Sequence, residues 1–251
     1  MALWNLLCKN ISNKAFIKYM DKLEVFYNQL IIKGGYALVL EGIWVTIVLA
    51  VCGLLIGIII GTLLAILLTK DEKSAFERVL VFIGRLYVGF FRGTPIVVQL
   101  LFIYFVILPL FGLAGSSALL VAVVIFGLNS GAYVSEIIRG GILSVDSGQN
   151  EAARALGLNS KQSMRFVVFP QALKNALPNL GNEFITLLKE TSVANYVTVH
   201  DLTYAFKTIG SASYEYMIPY FFLAVCYLVL VILASFIVKK YEGKLRRSDK
   251  R

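Results

Sequence analysis

A single histidine, His200, and three separated cysteines, Cys8, Cys52 and Cys226, are all the imidazole and thiol that the 251 residues offer. No two of them stand at metal-ligand or redox spacing, so a zinc site and thiol chemistry are excluded as organising themes, and no cofactor is expected. Charge is also scarce, at 16% of residues, whereas apolar residues reach 58% and the mean hydropathy is +0.77. A water-soluble domain of this length cannot hide so much apolar surface in one core, and the solvent for most of the chain is therefore lipid. The phosphate-cradling pattern G-x-x-x-x-G-K-[ST] occurs nowhere, which leaves the chain without a visible means of holding ATP. The start lacks a basic region, a short apolar region and a small-residue cleavage site in series, so no removed leader is expected.

The net charge of +9 does not point to nucleic acid, because seven of the 24 Lys and Arg residues lie in 239–251, directly after an apolar run. Basic residues in that place read as a cytoplasmic membrane flank.

Residues 1–35 alternate apolar side chains (Trp4, Leu6, Leu7, Ile11, Phe16, Ile17) with lysines at rough helical spacing, which suits an amphipathic segment at the membrane surface. Beyond it, 36–238 reads as a transmembrane domain and 239–251 as a basic tail. Ile43–Leu68 is free of charge over 26 residues, about 39 Å of helix at 1.5 Å per residue, enough to cross the bilayer with tilt. Residues 95–135 are uncharged but too long for one crossing. Their break at Pro109, Gly112, Gly115 and Ser116-Ser117 divides them into spans near 94–111 and 118–138. Another span runs over 217–238.

The remaining span follows from charge asymmetry. Segments 70–94, 139–179 and 239–251 carry five, five and seven Lys or Arg, against none in 110–117 and Lys207 alone in 198–216. Placing the first three on the cytoplasmic side requires a further span at 180–198, despite Glu183, Lys189 and Glu190 within it. The fold class expected is thus all-α and integral to the membrane, with five helices, N-terminus outside and C-terminus inside. The five lysines of the first 35 residues pull the other way.

Within the 146–170 loop, Glu151-Ala152-Ala153 precedes Gly157 and, nine residues on, Val167-Val168-Phe169-Pro170. Asp146 or Ser147 can cap a short Ala-rich helix with a thin docking surface, with Gln149 three beyond Asp146, and Gly157 can end it in the left-handed conformation. This pattern resembles the EAA loop of the permease subunits of bacterial ATP-binding-cassette importers, with Val167 and Phe169 replacing two apolar residues of the usual ending. The resemblance extends through Gly42-Ile43-Trp44-Val45-Thr46, Phe91-Arg92-Gly93-Thr94-Pro95 and Ala132-Tyr133-Val134-Ser135-Glu136-Ile137-Ile138-Arg139-Gly140-Gly141, which look like the polar amino acid branch.

The resemblance implies a multi-pass protein of the bacterial inner membrane that is not itself an enzyme. Its implied partners are two copies of an ATPase subunit, an extracellular or periplasmic binding protein and a second permease copy or homologue, with lipid around them. Glu151, Ala152, Ala153 and Gly157 would form the coupling contact with the ATPase. The stretch from Asn182 to Ser192 resembles the fourth-span segment in which acidic positions help hold a basic amino acid in some members, and the acid at the second position, beyond Glu183 at Glu190, leans toward arginine, lysine or histidine as substrate, with glutamine, glutamate or cystine as the alternative.

Ionisable groups inside a span default to a functional reading with a named partner. Glu183 and Glu190, seven residues apart, share a helix face with Thr186 and Leu187 between them, and two carboxylates there can receive an ammonium or guanidinium. The other reading pairs them with Lys189 or boundary cations, and pairs Glu136 with Arg139 at i,i+3. Tyr133 either lines a passage or packs as an ordinary aromatic. Gly53, Gly57 and Gly61, four apart, suit close helix or subunit packing. Pro170 and Pro178 read as the end of the loop and the start of the fourth span.

Two rivals remain on residues alone. An ion-coupled carrier would show internal repeats around a midplane ion site, and a membrane enzyme would show a nucleophile with its base. The first leaves the EAA pattern unexplained, and the second has only the adjacent pair His200-Asp201 to work with.

Overall fold

The computed structural model describes residues 19–69 and 74–248, with side chains through 243. The amphipathic reading of 1–18, Cys8 and the charged run 70–73 lie outside the described residues. All regular structure among them is helical. In chain order, α1 covers 19–27, α2 Gly35–Thr69, α3 Ala75–Gly93, α4 Ile96–Leu110, α5 Ala118–Leu143, α6 Ser147–Ala155, α7 Phe169–Glu190, α8 Leu202–Ser213 and α9 Met217–Ser248.

Three of these, α2, α5 and the Met217–Gly243 part of α9, are long and apolar enough to cross a membrane. A fourth crossing is available if α3 and α4, bent by 106° at Thr94-Pro95, count as one broken span. The uncharged runs at 43–68, 118–138 and 217–238 thus correspond to real helices, each extended at one end or both. The expected helix at 180–198 begins instead at Phe169, ends at Glu190 and closes through a 3₁₀ turn, Thr191–Val197. Its polar first half keeps it below the apolarity of the others.

Pro178 is therefore not a boundary but lies inside α7. An interior proline sacrifices a backbone hydrogen bond. Here Ala172, Ala176 and Leu180 bury the helix on both sides of it, packing with Ala65, Val134, Ile138, Ile142 and Val168. Pro170, in the first turn of α7, occupies a position where no N–H is needed.

Residues 70–94, read from their charge as a cytoplasmic segment with no element assigned, carry the 19-residue α3. Ser74 and Glu77 form a reciprocal capping box at its start, with both N–H···O distances at 3.2 Å. Val81, Gly84, Val88 and Phe91 bury one face, and Phe76, Val79, Phe82, Ile83, Leu86 and Phe90 expose the other. After it, the 106° bend releases backbone carbonyls that side-chain amides take up. Gln99 Nε2 donates to the carbonyls of Phe91 (2.9 Å) and Thr94 (3.0 Å), and Asn129 Nδ2 donates to Phe91 O (3.3 Å) and Gln99 Oε1 (3.0 Å). Buried polar groups with no water to turn to need such partners.

By internal packing, the described residues form two compact units, one joining residues up to Thr46 with His200–Val229 and the other joining Ile47–Val199 with residues from Leu230 on. In the second, the glycine ladder of α2 meets α5. Gly53 faces Phe126, Gly57 faces Ser130 and Gly61 faces Val134, while Gly127 and Gly131 of α5 receive Ile56 and Ile60 of α2. Of the two roles the spacing allowed, helix packing within the chain is the one observed.

In the first unit, Phe26 stacks on Phe222 with ring centroids 4.9 Å apart, and Lys22 Nζ pairs with Glu215 at 2.6 Å. The adjacent His200 and Asp201 separate in role. His200 stacks on Tyr204, whereas the buried Asp201 caps α8 by accepting from the N–H groups of Tyr204 (2.9 Å) and Thr203 (3.2 Å) and from the Tyr227 hydroxyl (3.4 Å).

Burial raises the Asp201 carboxyl from 3.8 to about 6 against the pull of those donors. A carboxyl with a raised folded pKa stabilises fully below its unfolded value and loses that contribution as pH climbs through the folded one. Thermal melting of the detergent-solubilised protein is expected to show stability declining between pH 4 and 7 (at most about 3 kcal/mol from this group). Asp201→Asn, which keeps a cap acceptor, is expected to flatten that part of the profile, and an unchanged slope would refute the assignment.

Candidate functional site

The 146–170 loop folds as its spacing suggests, with one choice resolved. Asp146 is the cap of α6, accepting from the Gly148 N–H at 2.7 Å. Gln149 does not complete a capping box, because its Oε1 accepts instead from Gln171 Nε2 at 3.3 Å. At the other end Gly157 adopts φ +89°, the Leu158 N–H donates to Ala153 O at 3.2 Å and the Gly157 N–H to Arg154 O at 3.0 Å. This is a complete Schellman closure, and it is why a glycine stands there.

The loop is tied together by Ser163 Oγ donating to Asn150 Oδ1 at 2.6 Å. Ala153 is buried against that scaffold, whereas Glu151, Ala152 and Gly157 are exposed. Leu156, absent from the expected contact residues, is 85% exposed. It is an exposed apolar side chain on a braced polar helix, and its place between Ala155 and the helix-ending glycine was the signal available in the sequence.

The acidic residues of α7 fare differently from one another. Glu183 is buried and accepts a hydrogen bond from Ser130 Oγ of α5 at 2.9 Å, 53 positions away in the chain. Its partner is therefore a hydroxyl on the neighbouring helix and not Lys189. Glu190 is the half-buried last residue of α7, Thr186 is half-buried and Leu187 is fully enclosed by protein.

Tyr133 and Glu136 come together elsewhere, in a cavity of about 390 Å³ between the ends of α3, α5 and α7. Arg92, Ser144, Asn175 and Asn179 supply the rest of its polar lining. Glu136 pairs with Arg139, whose Nη2 lies 2.7 Å and Nε 3.3 Å from its carboxylate, so the i,i+3 pair is real. Arg92 approaches the same carboxylate at 3.7 Å and lies 5.7 Å from the centre of the Tyr133 ring. In the sequence Arg92 stands out only as part of the Phe91-Arg92-Gly93-Thr94-Pro95 resemblance. Nothing in the spacing of residues 92 and 136 joins them; the packing of α3 against α5 does. Among the described residues no group of three or more His, Cys, Asp or Glu is placed to hold a metal ion.

Residues 53–247 match the family model described as the inner membrane component of binding-protein-dependent transport systems. The arginine transport system permease protein ArtQ of Bacillus subtilis is 40% identical over 211 residues, covering 84% of this chain and 94% of that one. The glutamine transport system permease protein GlnP of Escherichia coli is 37% identical over 209 residues, covering 83% and 93%. Among solved structures, one titled an amino acid ABC transporter with histidines is 37% identical, covers 86% of this chain and 97% of its own, and superposes with a TM-score of 0.77.

Proposed function

Because the chain belongs to the family of inner membrane components of binding-protein-dependent transport systems, we propose that it is the amino-acid permease subunit of an ATP-binding-cassette importer. Members of this family carry solute through the membrane while a separate subunit hydrolyses ATP. The observation that carries the reading to this chain is the braced α6 with Leu156 exposed at its end. Such a helix is shaped to enter a groove on a partner. Glu151, Ala152, Ala153 and Gly157, with Leu156, form that contact in this reading. Two ATPase copies, a second permease and an extracellular binding protein complete the complex.

The topology proposed is five crossings, N-terminus outside and C-terminus inside, with α7 and its 3₁₀ extension as the fourth. The basic residues of 139–179 and 239–251 support it by placing both segments in the cytoplasm. Glu183, Thr186 and Glu190 on α7, and Tyr133 and Glu136 on α5, are the proposed substrate contacts, with Leu187 holding α7 in place.

A buried carboxylate favours a basic amino acid, and the relative named for arginine agrees. The relative named for glutamine supports that amino acid as the second reading. The test is uptake of radiolabelled arginine, lysine, histidine, glutamine and cystine into vesicles holding the complete complex, with and without ATP. ATP-dependent uptake of a basic amino acid is expected. Glu183→Gln is expected to lower it about tenfold or more, the scale of a lost hydrogen bond to a charged group. Glutamine as the sole ATP-dependent substrate would select the second reading, and uptake driven by an ion gradient without ATP would overturn the importer itself.

A further inference from the structure

The cavity at Arg92 and Glu136 has an unbalanced charge. Two guanidinium groups, Arg92 and Arg139, address one carboxylate. Arg139 takes it through two nitrogens, so the pair is satisfied within α5. Arg92 is left with one long contact at 3.7 Å and the face of Tyr133, and makes no side-chain hydrogen bond among the described residues. A guanidinium carries five N–H donors in a planar fork whose natural partner is a carboxylate taken by two bonds.

The cavity has the volume to supply one. At about 390 Å³ it falls in the range of small-molecule sites, roughly 300–1,000 Å³. Its other polar groups complement the second half of a zwitterion. Glu136 retains lone pairs on both oxygens beside Arg139, and Asn175 and Asn179 line the same space. Asn175 already donates its amide nitrogen to Ser144 Oγ at 2.9 Å, which leaves its oxygen as the free end. Cation and acceptors thus stand together in one small cavity, the arrangement an α-amino acid backbone requires.

We propose that this cavity binds the zwitterionic backbone of an α-amino acid, Arg92 taking the α-carboxylate and Glu136 with the two asparagines taking the α-ammonium. The inference rests on the amino-acid importer reading and deepens it. Glu183 is hydrogen-bonded to Ser130, six residues earlier on α5 than Glu136, about 9 Å along the helix axis. The cavity therefore reads what all α-amino acids share, and leaves side-chain selection to groups nearer Glu183. On the topology proposed above it lies in the cytoplasmic half of the permease, where substrate stands before release.

The test uses the permease–ATPase complex in nanodiscs, without the binding protein, and tritiated arginine and glutamine as probes. Each probe is competed by its unlabelled parent and by the decarboxylated analogue, agmatine for arginine and 4-aminobutanamide for glutamine. In the wild type the analogue is expected to compete at least about tenfold more weakly than the parent. In Arg92→Gln the gap is expected to shrink to within about twofold, with the analogue's own affinity unchanged. Arg92→Lys, which keeps the charge but loses the fork, is expected to fall between. A gap that persists in Arg92→Gln overturns the proposal, as does loss of parent and analogue together, which would mark Arg92 as structural. If neither probe binds the wild type, the site is refuted; the uptake assay then says separately whether the importer reading survives.

Discussion

Valine in place of Gly57 is expected to weaken the α2–α5 pairing so that most of the protein is lost in a heat step that the wild type survives. A Cβ at position 57 would stand 2.6 Å from Ser130 Oγ, 2.7 Å from Ser130 Cβ and 3.1 Å from its backbone carbon. Contacts so short require one helix to move. The neighbours above and below give no slack, since Gly61 would meet Val134 at 2.6 Å and, from the other side, Gly127 would meet Ile56 at 2.5 Å. Overpacking of a tight interface costs about 1–3 kcal/mol and more when backbone must shift, against a total stability of about 5–15 kcal/mol. The displaced group is also the one that hydrogen-bonds Glu183.

Gly89 provides the control. It lies in α3 with nothing within 4 Å of an added Cβ, so Gly89→Ala is expected to be neutral or to stabilise by up to about 1 kcal/mol. Fluorescence-detected size exclusion after a heat step measures both variants. Equal survival of Gly57→Val and wild type would show that the two helices do not pack as described.

The second large effect is expected at the exposed end of α6. Leu156→Asp changes a side chain that is 85% exposed and so leaves the fold intact. It is expected to abolish pull-down of the ATPase subunit and to lower ATP-dependent uptake at least about tenfold, the effect of removing an apolar anchor from the centre of an interface. Gly157→Val tests the same contact through the backbone. With open space around it, the new side chain meets no clash, but φ +89° is a conformation a β-branched residue resists. The Schellman closure should therefore reopen and swing Leu156 away while membrane levels stay normal. Full association and uptake in Leu156→Asp would remove this helix from the coupling interface.

Much of the architecture was legible in the sequence wherever one property dominated. The uncharged runs around Ile43–Leu68 and 217–238 had no alternative to long apolar helices, and a Gly after an Ala-rich helix had one obvious use. Helix α3 is masked in the sequence by Arg78, Arg85 and Arg92, whose charge reads as a cytoplasmic flank, although Ser74-Ala75-Phe76-Glu77 carries a capping-box signature and the Phe76, Val79, Phe82, Ile83 and Leu86 spacing an amphipathic one. Pro178 reads as a boundary because proline disfavours a helix interior, whereas the burial of Ala176 and Leu180 that holds it inside α7 is a tertiary property. At the candidate site, the Glu136–Arg139 pair was readable as an i,i+3 spacing. The meeting of Arg92 with Glu136, and of Ser130 with Glu183, was not, because tertiary contacts between residues so far apart leave no periodicity behind.

The corner between α3 and α4 has a mechanical meaning. Gln99 and Asn129 lock its two arms through the carbonyls of Phe91 and Thr94, so the 106° elbow turns as a bell crank instead of flexing. A tilt of about 5° in the α3 arm carries the far end of α4, 15 residues and about 22 Å away, through about 2 Å. With the pivot pinned to α5 through Asn129, a movement of one arm is handed on to the other and is not absorbed at the corner between them.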